Sequence, residues 1–129
     1  MELSPLMTTM ACILVAMTLI LIPMVPGGLV DTRDFAELPR WQFRLFNVFL
    51  TSLGIASFVT VGLLLVGVSW ASIAALVIGA LYGAVFALDL GRIFPVVTDP
   101  LPSQLLVLEV LDLALAGVLV VLAVQALLP

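Results

Sequence analysis

Four long apolar runs constrain this chain more than any other feature of its sequence. They cover residues 6–25, 42–66, 71–90 and 104–128. Each run has the roughly 20 residues that a helix needs to cross a bilayer. Of the 129 residues, 64% are hydrophobic and 9% are charged, so only short connections remain between the runs. The sequence therefore predicts an all-α integral membrane protein, with residues 1–129 folded as one antiparallel, up-down four-helix bundle.

The connections between the runs differ in character. Residues 26–41 form a polar loop, whose most charged part, residues 31–40, is either a short interfacial helix or a solvated connector. Residues 91–103 form a Pro-rich loop that should be stiff and partly extended. The link near residues 67–72 carries no charge, which predicts a tight turn with Trp70 as an interfacial anchor.

Composition excludes several classes of function and ligand. The chain has no Lys and four Arg and carries a formal net charge of -4, which argues against nucleic acid as a partner. It has no His and one Cys, Cys12, so we expect no haem, chlorophyll or zinc site and no cofactor. No catalytic triad or phosphate-binding glycine loop is present in the sequence. The expected surroundings are the lipid bilayer and other membrane partners.

Polar residues interrupt three of the apolar runs. Arg44, Asn47 and Thr51 share one face of the second span, which we expect to point inward. Asp89 and Arg92 end the third span and can pair with each other, and Glu109 and Asp112 share a face of the fourth. Because the spans alternate in direction, these residues lie in the half of the bundle nearest both polar loops. The sequence thus predicts a buried cluster of Arg44, Asn47, Asp89, Arg92, Glu109 and Asp112, either an ion-pair network or a ligand site.

The structural interpretation of this cluster pairs Arg44 and Arg92 with Glu109 and with either Asp89 or Asp112. Removing one partner of such a buried set costs about 3 to 5 kcal/mol, because the other charge is stranded. Two basic groups leave one of the three acids unmatched. That acid could hold a proton and act as a proton carrier or general acid, and the deepest, Asp112, is our candidate.

The third span carries small residues at a spacing that favours close helix contact. Gly79 and Gly83 form a GxxxG pair, followed by Ala80 and Ala84 one position on. We expect this stripe to pack against another span of the same chain, with a second protein as the alternative.

The arrangement of these motifs resembles the small DoxX-like four-helix membrane proteins of bacteria. The likeness rests on an Arg at the start of span two, a small-residue helix ending in Gly-Arg, a loop with Asp and Pro-Ser, and an early Glu in span four. The matching residues are Arg44, Gly91, Arg92, Asp99, Pro102, Ser103 and Glu109. The chain departs from the pattern at Phe46, Asn47 and Pro100. The resemblance implies a four-helix bundle with a polar cluster in a bacterial inner membrane.

Three functions stay open at this point. We favour a non-catalytic accessory or scaffold subunit, because the chain is small and its outward surfaces are apolar and without distinguishing motifs. The second is a pocket protein that binds or isomerises a small lipophile with Glu109 or Asp112. The third is proton-coupled transport by a homo-oligomer.

Overall fold

The described part of the chain folds into four α-helices joined by short connections. In the computed structural model, which describes residues 4–26 and 28–128, the helices are α1 (Pro5–Leu21), α2 (Arg40–Val66), α3 (Ala71–Leu90) and α4 (Ser103–Leu127). A 3₁₀ turn, Ile22–Met24, follows α1. Each of these helices, α1 together with its 3₁₀ turn, is long and apolar enough to cross a membrane. The predicted fold class, an all-α multi-pass membrane bundle, is confirmed.

Proline and glycine set several of the helix ends. Pro5 opens α1, and the Ser4 side chain accepts a hydrogen bond from the backbone of Leu6 at 3.3 Å. Pro39 precedes α2, and Gly67 ends it with a φ of 86°, a left-handed conformation that suits glycine. The chain turns there and enters α3 at Ala71. The tight turn predicted between the second and third spans is confirmed.

The four helices form a ring in which α1 and α3 each pack against both α2 and α4. Two glycines of α3 lie close to α4. A Cβ placed on Gly79 would lie 3.0 Å from the Cγ2 of Val120, and one on Gly83 would lie 3.9 Å from the Cδ1 of Leu113. The prediction that this small-residue stripe packs within the chain is confirmed for both glycines.

Both polar connections lie at one end of the bundle and are hydrogen-bonded to each other. The Asp99 carboxylate accepts a 2.7 Å hydrogen bond from the backbone N–H of Asp34. Arg92 donates to the carbonyl oxygens of Val97 and Asp99 at 3.1 and 3.0 Å. We call residues 28–39 and 91–102 together the loop cap. No helix forms over residues 31–39, so the interfacial helix that was one of the two expectations is absent there.

Candidate functional site

The guanidinium of Arg33, in the loop cap, is the centre of the polar interior. Its Nε and Nη2 atoms donate to the Asp31 carboxylate, both at 2.8 Å. Nη1 and Nη2 donate to the Asp89 carboxylate at 2.9 and 3.2 Å. All three residues are buried. The fork geometry of an arginine allows this double bidentate contact, which lysine could not make.

The electrostatics of Arg33 follow from its two carboxylate partners. Burial by itself would lower the pKa of Arg33, but the hydrogen bonds and charges of Asp31 and Asp89 outweigh burial and raise that pKa above its ordinary value. The Cζ atom of Arg33 lies over the Phe35 ring, 5.3 Å from the ring centroid, which adds a cation–π contact. Arg33 is therefore held as a permanent buried cation.

Glu109, on α4, extends the cluster into the membrane. Its side chain is buried, and it lines the same small cavity as Asp31, Arg33 and Asp89. The Oε2 atom of Glu109 has no hydrogen-bond partner among the described residues. One guanidinium thus shares this region with three carboxyl groups, those of Asp31, Asp89 and Glu109.

Very little space remains around these groups. A cavity of about 10 Å³ is lined by Asp31, Arg33, Asp89 and Glu109 together with apolar side chains of α1, α2 and α3. A water molecule needs about 10 to 15 Å³ of such volume, so at most one water fits. The cluster is closed, and nothing larger than a water can reach Glu109 through this cavity.

Asp112 lies one turn deeper on the same face of α4, roughly 4 to 5 Å further along the helix axis. Its side chain is fully buried, and neither carboxyl oxygen has a hydrogen-bond partner among the described residues. A buried carboxyl group without partners is costly, so Asp112 is the least satisfied polar group of the interior.

Tyr82 connects three helices at about this depth. Its hydroxyl oxygen lies 3.2 Å from Oγ1 of Thr18 on α1 and 3.3 Å from Oγ of Ser57 on α2. Thr18 and Ser57 donate their own protons to helix carbonyl oxygens, of Leu14 at 2.8 Å and of Leu53 at 2.6 Å. The Tyr82 hydroxyl is therefore the group with a proton to donate, to one of the two oxygens at a time.

The structure brings together only part of the predicted cluster. Asp89 and Glu109 line the same small cavity, and Asp112 lies one turn further along α4. The expected cations do not join them: Arg44 is exposed, and Arg92 is exposed and bonded to loop carbonyls. Asn47 is half-buried, with no partner for its Oδ1 atom among the described residues. The expected pairing of these acids with Arg44 and Arg92 is wrong: Asp89 pairs with Arg33, and among the described residues neither Glu109 nor Asp112 forms an ion pair.

The physical reasons for this difference are local. On α2 the inward positions are taken by residues such as Leu50, Leu53 and Ser57, so the face that carries Arg44 and Thr51 points outward. Arg92 follows the end of α3 with a φ of 56°, and this left-handed backbone turns it away from Asp89 and into the loop cap.

The sequence interpretation missed Asp31, Arg33 and Tyr82. The first two belong to a stretch that was expected to be solvated or interfacial, and a charge-dense loop normally is. One signal was available: the predicted cluster had fewer cations than acids, and the adjacent loop contained others. Tyr82 gave no such signal, because a lone tyrosine in an apolar run is an ordinary core residue.

The fold and this site define a small four-helix integral membrane protein with an ion-pair cluster beneath its loop cap. The chain belongs to the family described as a domain of unknown function, DUF8051, whose profile matches residues 6–129. Comparison with curated proteins and with solved structures gave no match.

Proposed function

We propose that this chain is a non-catalytic accessory or scaffold subunit, embedded as a multi-pass protein in a bacterial inner membrane. The observation that carries the proposal is the closure of the polar interior. Arg33 donates four side-chain hydrogen bonds to Asp31 and Asp89, and Glu109 is buried beside the same small cavity. The contact between Arg33 and Asp89 holds the loop cap to α3, and the buried guanidinium is not available to a substrate.

The small cavity supports this role over that of a lipophile-binding or isomerising pocket. A drug-sized ligand needs a pocket of about 300 to 1,000 Å³. The cavity beside Glu109 offers about 10 Å³. A lipophile could reach Glu109 only if the helices moved apart, which would break contacts around Arg33.

The outer surface offers a face suited to another membrane helix. Ala80, Ala84 and Ala87 recur at helical spacing on α3, and all three are exposed. Small residues at this spacing let two helices approach closely within a bilayer. A partner subunit packed on this face would leave the interior cluster untouched.

The proposal is tested by extracting the tagged protein from its native membrane in a mild detergent and measuring the mass of the particle. We expect a discrete complex that is larger than one chain. Ala84→Trp should dissociate it, whereas Val121→Trp, on an exposed face of α4 rich in large side chains, should not. A particle that contains a single chain, with native helix content, would contradict the proposal.

A second candidate function, proton-coupled transport, is favoured by Asp112. Both of its oxygens lie in the interior without a partner among the described residues, as a proton-carrying group requires. Proton flux into liposomes that disappears in Asp112→Asn and persists in the exposed variant Arg44→Gln would support it. Equal flux in the two variants and in empty liposomes would exclude it. The resemblance to DoxX-like proteins stays a prediction under either function.

A further inference from the structure

We propose that the groove between α1 and α2 binds one anionic phospholipid, with its phosphate at Arg44 and one acyl chain beside Gly54. The site lies on the outside of the bundle and is independent of the proposed function. It accounts for an exposed arginine that the interior cluster does not use. It also gives a role to the polar face of α2, which was expected to point inward.

The groove itself is apolar and has a volume of about 240 Å³. Leu21 and Val25 line it from the end of α1 and the segment after it, and Leu50, Gly54 and Phe58 line it from α2. A Cβ on Gly54 would have no atom within 4 Å, so the missing side chain is what leaves the groove open. Its apolar lining and small volume suit a length of acyl chain better than a polar headgroup.

Arg44 is the cation of the proposed site and lies on α2 between the groove and the loop cap. Thr51 lines the groove, and Arg44 lies seven positions earlier on the same face of α2, about 10 Å nearer the loop cap. Arg44 is exposed and forms no ion pair with any described residue. Helical side chains lean toward the N-terminus of their helix, so the guanidinium extends away from the groove toward the membrane surface.

The membrane depth of these residues fits a phospholipid. The hydrocarbon core of a bilayer is about 30 Å thick, which is about 20 helical residues. Counting back from Val66, where α2 ends beside the turn with Trp70, places the boundary on the opposite side near Asn47. Arg44 then lies at the level of the phosphates, and Gly54 lies within the hydrocarbon.

The charge of the ligand follows from the unpaired guanidinium. An arginine donates paired hydrogen bonds to a phosphate, and each cation near an anionic surface contributes about 1 kcal/mol to binding. A zwitterionic lipid would bring its own cation close to Arg44. An anionic lipid such as phosphatidylglycerol brings only the phosphate, so we expect it to be preferred.

The chain offers matched controls for both halves of the site. Gly62 lies on the same helix outside the groove, and a Cβ there also has no atom within 4 Å. Gly62→Leu therefore controls for Gly54→Leu. Arg40 is exposed one turn before Arg44 and lines a separate hollow of the loop cap, so Arg40→Gln controls for Arg44→Gln.

The experiment is native mass spectrometry of the full chain, delipidated in detergent and titrated with dioleoyl phosphatidylglycerol or dioleoyl phosphatidylcholine. We expect one bound phosphatidylglycerol, held about tenfold more tightly than phosphatidylcholine, and loss of that preference in Arg44→Gln. Gly54→Leu should weaken both lipids about equally, because it fills the acyl-chain groove. The two control variants should behave like the wild type.

Three results would overturn the proposal. The first is equal affinity of the wild type for the two lipids. The second is an equal effect of Arg40→Gln, which would indicate general attraction to a charged surface. The third is an equal effect of Gly62→Leu, which would indicate unspecific adhesion to apolar helices. If Gly54→Leu fails to fold, the comparison of Arg44→Gln with Arg40→Gln still decides the matter.

Discussion

Arg33 and Asp89 lie 56 positions apart in the sequence and are joined by two hydrogen bonds of 2.9 and 3.2 Å. The first belongs to the loop cap and the second to the last turn of α3. Because Asp31 holds the other edge of the same guanidinium, the loop folds back onto the bundle. This contact makes the connection between the first two spans a structural part of the membrane domain.

Replacing Arg33 should destabilise the protein strongly. In Arg33→Met, two buried carboxylates, of Asp31 and Asp89, lose their cation, and we expect the free energy of unfolding to fall by about 3 to 5 kcal/mol. Unfolding in mixed micelles with increasing denaturing detergent measures this loss. Arg44→Met, at an exposed position, is the control and should change stability by less than about 0.5 kcal/mol. Equal losses in the two variants would contradict the assignment of Arg33 as the central cation.

The contribution of Arg33 should not depend on pH in the neutral and alkaline range. Its pKa in the folded protein is raised above the ordinary value, so its stabilising contribution is complete below that ordinary value. The contribution is lost only when the pH rises through the folded-state pKa. The difference in unfolding free energy between wild type and Arg33→Gln should therefore stay constant from about pH 7 to about pH 10. A difference that shrinks toward alkaline pH would show a weaker ion pair than the structure contains.

Asp112 should be replaceable by an apolar residue of similar size. It is fully buried, and neither oxygen has a partner among the described residues, so removing the carboxyl relieves a cost of about 1 to 3 kcal/mol. Asp112→Leu should raise the free energy of unfolding by an amount of that order. Asp112→Asn, which keeps the unpaired polar group, serves as the comparison. A marked loss of stability in Asp112→Leu would mean that the carboxyl has a partner, such as a bound water or proton donor.

Gly79 should tolerate a larger side chain poorly. A Cβ there already lies 3.0 Å from the Cγ2 of Val120, so Gly79→Val must push α3 and α4 apart, at a cost of about 1 to 3 kcal/mol. Gly62→Val introduces the same side chain where no atom lies within 4 Å. The same unfolding assay compares the two variants. If Gly62→Val costs as much as Gly79→Val, the loss comes from the changed backbone preference and not from helix packing.

The sequence predicted the number, length and direction of the spans well, because apolar length is a local property that the bilayer imposes. It also identified Asp89, Glu109 and Asp112 as buried, since a carboxylate cannot face hydrocarbon at low cost. The sequence did not identify which arginine pairs with the buried acids. The sequence pattern placed Arg44 and Arg92 closest to these acids. In the structure, the face of α2 that carries Arg44 points outward, and the left-handed backbone of Arg92 turns its side chain away from Asp89.

The cation that the sequence did not predict, Arg33, lies in a charged loop whose burial cannot be inferred from the loop's own residues. A charged loop is usually solvated, and only the three-dimensional path of residues 28–39 shows that Arg33 enters the bundle. The charge deficit of the predicted cluster was the available clue. In a membrane protein, a buried excess of acids is a reason to search the adjacent loop for a cation before assuming that an acid is unmatched.

The central claim is that the cluster around Arg33 is structural, and one triple variant tests it most directly. Arg33→Met, Asp31→Leu and Asp89→Leu together replace the buried charges by apolar groups, an exchange that is often neutral or stabilising. We predict that the triple variant regains most of the stability lost in Arg33→Met alone and still purifies as the same complex as the wild type. A triple variant that is stable but has lost the complex would contradict the account, because the charges would then be needed for function and not for the fold.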